Sequence, residues 1–216
     1  NSLESGSTLR FMIPLSIVKQ NCVTFTAAKR LMERGLGIYE EIFDNQGIKY
    51  LKTDTSIKIS GALKPGYFKV LGNVSSQFIS GLLFSLPLLK SDSIIEIIPP
   101  IESIDYILLT IDVLNRFKVT VINDLKNNKL YVKGNQKYLP VSTSVEGDYS
   151  NAAFLDAFNY LDGNVLVKGL NSSSLQGDKA YIDYFKILKE NEMPTIDISN
   201  TIDLGPILFV MAALNN

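Results

Sequence analysis

Gly72-Asn-Val-Ser-Ser-Gln-Phe-Ile-Ser-Gly81 is the stretch on which the reading of the fold turns. Ahead of it, Tyr67 to Leu71 is a short strand-like run. Behind it, Phe78, Ile79, Leu82, Leu83 and Leu86 recur at helical spacing. A strand, a glycine turn and a helix that opens on two serines and a glutamine therefore follow one another. A helix start presents unpaired backbone N–H groups and the positive end of the helix dipole. That geometry holds phosphate or carboxylate without a metal. Serine is also a favoured cap, so Ser75 and Ser76 carry two readings, cap and ligand. Two more helix starts share the chemistry, Gly6-Ser-Thr and Gly147-Asp-Tyr-Ser150.

Outward from this point, strand and helix patterns alternate along the whole chain. A helix follows Gly6-Ser-Thr-Leu-Arg10, then a strand near Val23 to Thr26 and a helix from about Arg30 to Phe43. Short strands are expected at Ile48 to Lys52 and Ser56 to Ser60. The Ser75 helix runs to about Leu89. Strand Ile94 to Ile98 leads to a helix from Ser103 to Phe117, and strands Val119 to Asn123 and Leu130 to Lys133 flank a turn. Beyond these the pattern predicts strands at Val141 to Val145, Asn164 to Val167 and Thr195 to Ile198. Helices are expected at Ser150 to Leu161, Asp178 to Glu190 and from Asp203 onward. The β-α-β-β rhythm points to an α/β or α+β fold of similar small units with helices on mixed sheets. Internal repetition is visible between Val70-Leu-Gly-Asn-Val-Ser-Ser and Val145-Glu-Gly-Asp-Tyr-Ser-Asn. Pro140 and a Ser/Thr cluster mark a boundary near 139–144, giving expected domains at 1–140 and 141–216.

Composition narrows the function classes. The 216 residues carry 21 basic and 22 acidic side chains, a net charge of −1, so there is no basic field for nucleic acid. No histidine is present, which removes histidine-dependent triads and histidine metal sites. The single cysteine, Cys22, excludes an internal disulfide and reads as a buried structural thiol. No apolar run reaches the roughly 18 residues that span a bilayer. The chain lacks an initiator methionine and ends within a helix pattern, and it is expected to be a fragment cut at both ends.

Several residues could carry chemistry. Arg10 lies one turn into the first helix, and Arg30 and Arg34 open the next; arginine suits planar, bidentate binding of phosphate or carboxylate. No nucleotide-binding glycine motif is present, so the expected ligand is a small polyanion. Asp203, in Thr201-Ile-Asp-Leu-Gly-Pro206, is either a cap or a carboxylate able to orient or deprotonate a hydroxyl. Asp178, in Gln176-Gly-Asp178, reads as a cap. Tyr106, in Ser103-Ile-Asp-Tyr106, is a site hydroxyl or a half-buried core tyrosine.

Together Gly6-Ser-Thr-Leu-Arg10, Arg30-Leu-Met-Glu-Arg34, Ser75-Ser-Gln-Phe78, Val145-Glu-Gly-Asp148, Gln176-Gly-Asp178 and Asp203-Leu-Gly-Pro206 resemble one family, in order. It is the 3-phosphoshikimate 1-carboxyvinyltransferase family, also called 5-enolpyruvylshikimate-3-phosphate synthase. The resemblance covers the whole chain, which looks like about the middle half of a complete enzyme. It implies an inverse α/β barrel of two domains built from βαβαββ units. It also implies transfer of the enolpyruvyl group of phosphoenolpyruvate to the 5-hydroxyl of shikimate 3-phosphate, through a tetrahedral ketal and with release of phosphate. No cofactor or metal is implied, and the expected protein is a cytoplasmic monomer when full length and a glyphosate target.

Residue by residue, Ser75, Ser76 and Gln77 match the segment contacting shikimate 3-phosphate, with Gln77 also facing phosphoenolpyruvate. Ser103 and Tyr106 match residues bordering the shikimate 3-phosphate site. Gly6 matches a glycine against phosphoenolpyruvate or glyphosate, Arg30 an arginine gripping phosphoenolpyruvate, and Asp203 an aspartate near the target hydroxyl. Arg10 is expected to be structural. The chain departs from the family at Glu4-Ser5, where relatives have asparagine before the small residue, at Gly35 in place of a common proline, and in the short link from Glu190 to Asp197. The family's Lys-Ser motif and its C-terminal Glu, Arg and Lys groups have no counterpart, so the chain alone is expected to be inactive. Two other readings are a UDP-N-acetylglucosamine enolpyruvyl transferase and a non-catalytic phosphate-binding module.

Overall fold

A computed structural model describes residues 1–191 and 193–214. They form two compact units: Asn1–Glu102 with Thr110–Val141, and Ser103–Leu109 with Ser142–Asn216.

In the first unit, helix α1 (Gly6–Ser16) leads to strand β1 (Asn21–Thr26), helices α2 (Lys29–Glu33) and α3 (Gly37–Gln46), and strands β2 (Lys49–Lys52) and β3 (Ser56–Gly61). Strand β3 pairs antiparallel with both β1 and β2, giving a sheet ordered β1-β3-β2. The chain then repeats the theme as β4 (Tyr67–Leu71), α4 (Ser76–Ser85), β5 (Ser93–Ile98), α5 (Ile104–Arg116, of which the part from Thr110 on belongs to this unit), β6 (Val121–Asp124) and β7 (Lys129–Val132). This second sheet is ordered β4-β5-β7-β6, with β4 and β5 parallel and the other pairs antiparallel. The parallel pair needs a crossover, and α4 supplies it. The order β-α-β-α-β-β is one complete unit. The pairing of β1, β3 and β2 corresponds to that of β5, β7 and β6, and α1 is the counterpart of α4. The repeat read between Val70-Leu-Gly-Asn-Val-Ser-Ser and Val145-Glu-Gly-Asp-Tyr-Ser-Asn is a different one, and it holds for the glycine and the helix start but not for the strand, which is absent at Val145.

Alternation explains the strands. In β5, Ser93-Ile-Ile-Glu-Ile-Ile98 alternates buried and half-buried positions, the pattern of a strand with one face on a core. Helix α4 is different: Phe78, Ile79, Leu82 and Leu83 are fully buried together with Ser76, Ser80, Gly81 and Ser85. A helix buried on every side must satisfy its small polar residues. Ser85 Oγ donates to the Gly81 carbonyl at 2.9 Å and Ser80 shares a 2.7 Å hydrogen bond with Thr110. Gly81 lets α1 approach: a Cβ there would stand 2.5 Å from the Arg10 carbonyl oxygen and would collide with the Tyr39 hydroxyl. That hydroxyl donates to the Arg10 carbonyl at 2.7 Å and lies 3.3 Å from the Phe78 carbonyl, so α3 ties α1 to α4.

The helix expected from Arg30 to Phe43 is two helices. Gly35, at φ +83°, follows α2, and its N–H bonds the Met32 carbonyl at 3.2 Å. A left-handed residue just past a helix ends it, and the apolar periodicity continues across the break because both helices face the same core.

In the second unit, α6 (Tyr149–Tyr160), α7 (Tyr181–Glu190) and α8 (Gly205–Leu214) enclose Ala152, Ala153, Phe185, Leu204, Leu208 and Met211. The strands expected at Val141 to Val145, Asn164 to Val167 and Thr195 to Ile198 are absent among the described residues. Val167, Ile196 and Ile198 do turn inward onto the helices. Alternation of this kind sets which face is buried, but a strand also requires a hydrogen-bonded partner. Cys22, expected to be buried, is exposed at the start of β1.

Candidate functional site

In the first unit the candidate residues gather at two helix starts. Ser5 caps α1, its hydroxyl accepting from Thr8 N–H at 3.2 Å. Ser75 caps α4, its Oγ accepting from Gln77 N–H at 3.3 Å. The cap reading of Ser75 is therefore real, and it leaves the Ser75 hydroxyl proton available to an acceptor. Gly6 lies between the two starts: a Cβ on it would be 3.3 Å from both Arg10 Nη1 and Gln77 Oε1. Arg10 Nη1 donates to Gln77 Oε1 at 2.7 Å. The guanidinium lies over the Phe78 ring, 4.8 Å from its centre, and Nε has no partner among the described residues.

The electrostatics of this cluster are one-sided. The charged form of Arg10 is disfavoured first by burial and then by the nearby Arg34 charge, and its pKa is lowered despite an opposing contribution from Tyr39. Arg30 and Arg34 are both exposed at the ends of α2. Arginine donates only, so it fixes Gln77 with its oxygen inward and its amide N–H pair free to donate elsewhere. A glycine that keeps a side chain out of a tight gap beside Arg10 and Gln77, a glutamine N–H pair, a serine-capped helix start and like-charged arginines form a cradle for an anion.

In the second unit Tyr106 lies on the first turn of α5, after Ser103, which is buried at φ +53°. The Tyr106 hydroxyl is 3.2 Å from Asp178 Oδ2 and 3.3 Å from Asp203 Oδ2. Ser150, on the first turn of α6, donates a short hydrogen bond to the same oxygen of Asp178. Asp203 is exposed, in a turn of tight helix ahead of α8. Asp178 is only 1% exposed. Burial holds its carboxyl above the usual carboxylate range; Asp203 adds to the rise and the hydrogen bonds from Ser150 and Tyr106 oppose it. Burial, then the Asp178 and Asp203 charges, raises the Tyr106 phenol, so it stays a neutral donor. The arrangement is a phenol between a buried and an exposed carboxylate, suited to orienting a hydroxyl and taking its proton.

Sequence reasoning missed three features. Asp178, read as a cap, caps nothing: its helix begins with a tight turn at Gly177–Ala180, and Gln176 there makes no side-chain cap. Ser150 gave no signal beyond its place at a helix start. Arg10, read as structural, is what orients Gln77. The motifs around Gly147 and Gly177 interlock, since Gln176 Nε2 donates to Glu146 Oε1 at 3.0 Å and to the Gly147 carbonyl at 2.9 Å, while Tyr149 N–H donates to Gln176 Oε1 at 2.9 Å. Among the described residues, no three His, Cys, Asp or Glu side chains are grouped to hold a metal ion.

The fold and these clusters define an α+β protein with one complete βαβαββ unit and part of another, an anion cradle and a phenol–carboxylate cluster. A model of the EPSP synthase (3-phosphoshikimate 1-carboxyvinyltransferase) family matches residues 3–216. Curated relatives named 3-phosphoshikimate 1-carboxyvinyltransferase include one from Clostridium perfringens (strain SM101 / Type A), 44% identical over 98% of this chain and 54% of its own. One from Clostridium acetobutylicum is 42% identical over 98% and 53%, and one from Brachyspira hyodysenteriae 40% identical over 97% and 54%. A solved EPSP synthase from Acinetobacter baumannii shares the fold at a TM-score of 0.73, with 18% identity, over 98% of this chain and 53% of that one. The chain belongs to the EPSP synthase family, and it spans about half the length of the curated relatives it matches.

Proposed function

We propose that the chain is the substrate-cradling part of an enzyme that transfers the enolpyruvyl group of phosphoenolpyruvate to the 5-hydroxyl of shikimate 3-phosphate. In the first unit, Gly6 and Arg30 hold phosphoenolpyruvate. Ser75, Ser76 and Gln77 hold shikimate 3-phosphate, and the Gln77 amide also turns to phosphoenolpyruvate. In the second unit, Ser103 and Tyr106 contact shikimate 3-phosphate and Asp203 takes the proton of the 5-hydroxyl. The 5-oxygen bonds to C2 of phosphoenolpyruvate while C3 gains a proton from an acid, giving a tetrahedral ketal. Loss of a proton from C3 and cleavage of the C2–O bond to phosphate then restore the double bond and release phosphate. Segments 1–140 and 141–216 belong to two different domains of that enzyme, which works as a monomer in the cytoplasm. Among the described residues no helix is long and apolar enough to cross a membrane.

The observation that carries the reading is the 2.7 Å bond from Arg10 to Gln77, which engages the amide oxygen beside Gly6 and leaves the N–H pair at the other end of the amide to donate to an anion. The acceptor rests on membership of the EPSP synthase family rather than of the UDP-N-acetylglucosamine enzymes. Calorimetric titration of the complete protein with phosphoenolpyruvate, in the presence of shikimate 3-phosphate, tests it. Arg30→Ala should weaken phosphoenolpyruvate binding by about tenfold or more, the loss of one charge-assisted contact. Unchanged binding would remove Arg30 from the site.

A further inference from the structure

Asp178 is the one strongly buried carboxylate among the described residues, and the proposed reaction gives it no part. Its Oδ2 accepts from Ser150 and faces the Tyr106 hydroxyl at 3.2 Å, while its Oδ1 has no partner among the described residues. Leaving a buried carboxylate oxygen unpaired costs stability, and a cap or a core filler would not require it. The same Tyr106 hydroxyl stands 3.3 Å from Asp203. A phenol flanked this way has its ring position and its hydrogen set by the buried partner. The exposed partner keeps its other oxygen for a ligand.

We propose that Asp178 is a positioning residue, which with Ser150 holds the Tyr106 hydroxyl in place against Asp203. It touches no substrate and acts through Tyr106. The Tyr106 hydroxyl shares its one hydrogen between Asp178 and Asp203, and the Asp203 carboxylate held this way on Oδ2 keeps Oδ1 for the hydroxyl whose proton it takes. This rests on the assignment of Asp203 as the proton acceptor in enolpyruvyl transfer.

A double-mutant cycle on the complete protein tests it, with kcat, KM for both substrates and thermal unfolding measured for each variant. Asp178→Asn keeps the shape and one acceptor oxygen, and should lower kcat about tenfold with KM for phosphoenolpyruvate little changed. In a Tyr106→Phe background the same substitution should change kcat less than twofold, because the group it works through is gone. An equal fall in both backgrounds would make Asp178 merely structural, and an unchanged kcat in the parent background would overturn the proposal as well. Should Asp178→Asn fail to fold, Ser150→Ala probes the same anchor and should show the same dependence on Tyr106. A parent protein that releases no phosphate with shikimate 3-phosphate would instead overturn the assigned reaction, and this role with it; an active parent with an additive cycle overturns the role alone.

Discussion

Arginine can only donate hydrogen bonds, whereas a glutamine amide has one accepting end and one donating end. Facing each other at 2.7 Å, Arg10 and Gln77 therefore settle which end of the amide is presented beside Gly6. Arg10→Lys loses the planar fork and its stacking on Phe78, and should raise KM for phosphoenolpyruvate several-fold through Gln77. An unaltered KM would separate Gln77 from that substrate. Gly6→Ala brings a methyl group to 3.3 Å from both Arg10 and Gln77. It should raise KM for phosphoenolpyruvate about tenfold, roughly 1.4 kcal/mol, with a smaller effect on kcat; a parent-like KM would show that the cradle has room to spare. Asp178 gives a pH dependence. Burial raises its folded-state pKa, so its contribution to stability is complete below the unfolded carboxylate value and is lost as pH rises through the raised one. Asp178→Asn removes this titration. The variant should therefore gain stability relative to the parent as pH rises from the ordinary carboxylate value through the raised one, and a difference that stays flat would contradict the buried-carboxylate assignment. None of these partners was legible in the sequence. Arg10 and Gln77 are 67 residues apart and Tyr106 and Asp178 are 72 apart, so no local pattern joins them, and a buried Asp looks like a cap until its neighbours are known.

At the scale of elements, the crossing of α1 and α4 fixes both helix starts that build the cradle. Its tolerance is set by Gly81, whose missing Cβ makes room for the Tyr39 hydroxyl and the Arg10 carbonyl. Gly81→Ala should destabilise the first unit by about 1–3 kcal/mol, the usual cost of overpacking; a denaturation midpoint equal to that of the parent would mean that the two helices can part without loss. The unit β4-α4-β5-α5-β6-β7 was readable from periodicity and glycine turns, since its strands alternate and its helices carry apolar stripes. Two things escaped. Gly35 ends α2 through a positive φ that apolar spacing does not register. The segments near Val141, Asn164 and Thr195 have the alternation of strands, but pairing depends on a partner that a segment's own sequence cannot reveal.

For the molecule as a whole, the second unit carries a large share of exposed apolar side chains. Phe209 on α8 is 74% exposed and Met193 is 94% exposed, with Phe154 and Phe158 open on α6. Exposed apolar side chains of this kind bind other apolar groups. The 216-residue chain should therefore bind an apolar dye such as ANS in its folded state, and Phe209→Lys should reduce that binding; parent-like fluorescence in the variant would show that this face does not matter. The central claim is that the cradle and the phenol–carboxylate cluster serve enolpyruvyl transfer to shikimate 3-phosphate. The most direct test is phosphate release from phosphoenolpyruvate by the complete protein, with shikimate 3-phosphate and UDP-N-acetylglucosamine offered as alternative acceptors. Release with shikimate 3-phosphate alone is the predicted result. Release with the UDP-sugar alone, or with neither, would contradict it.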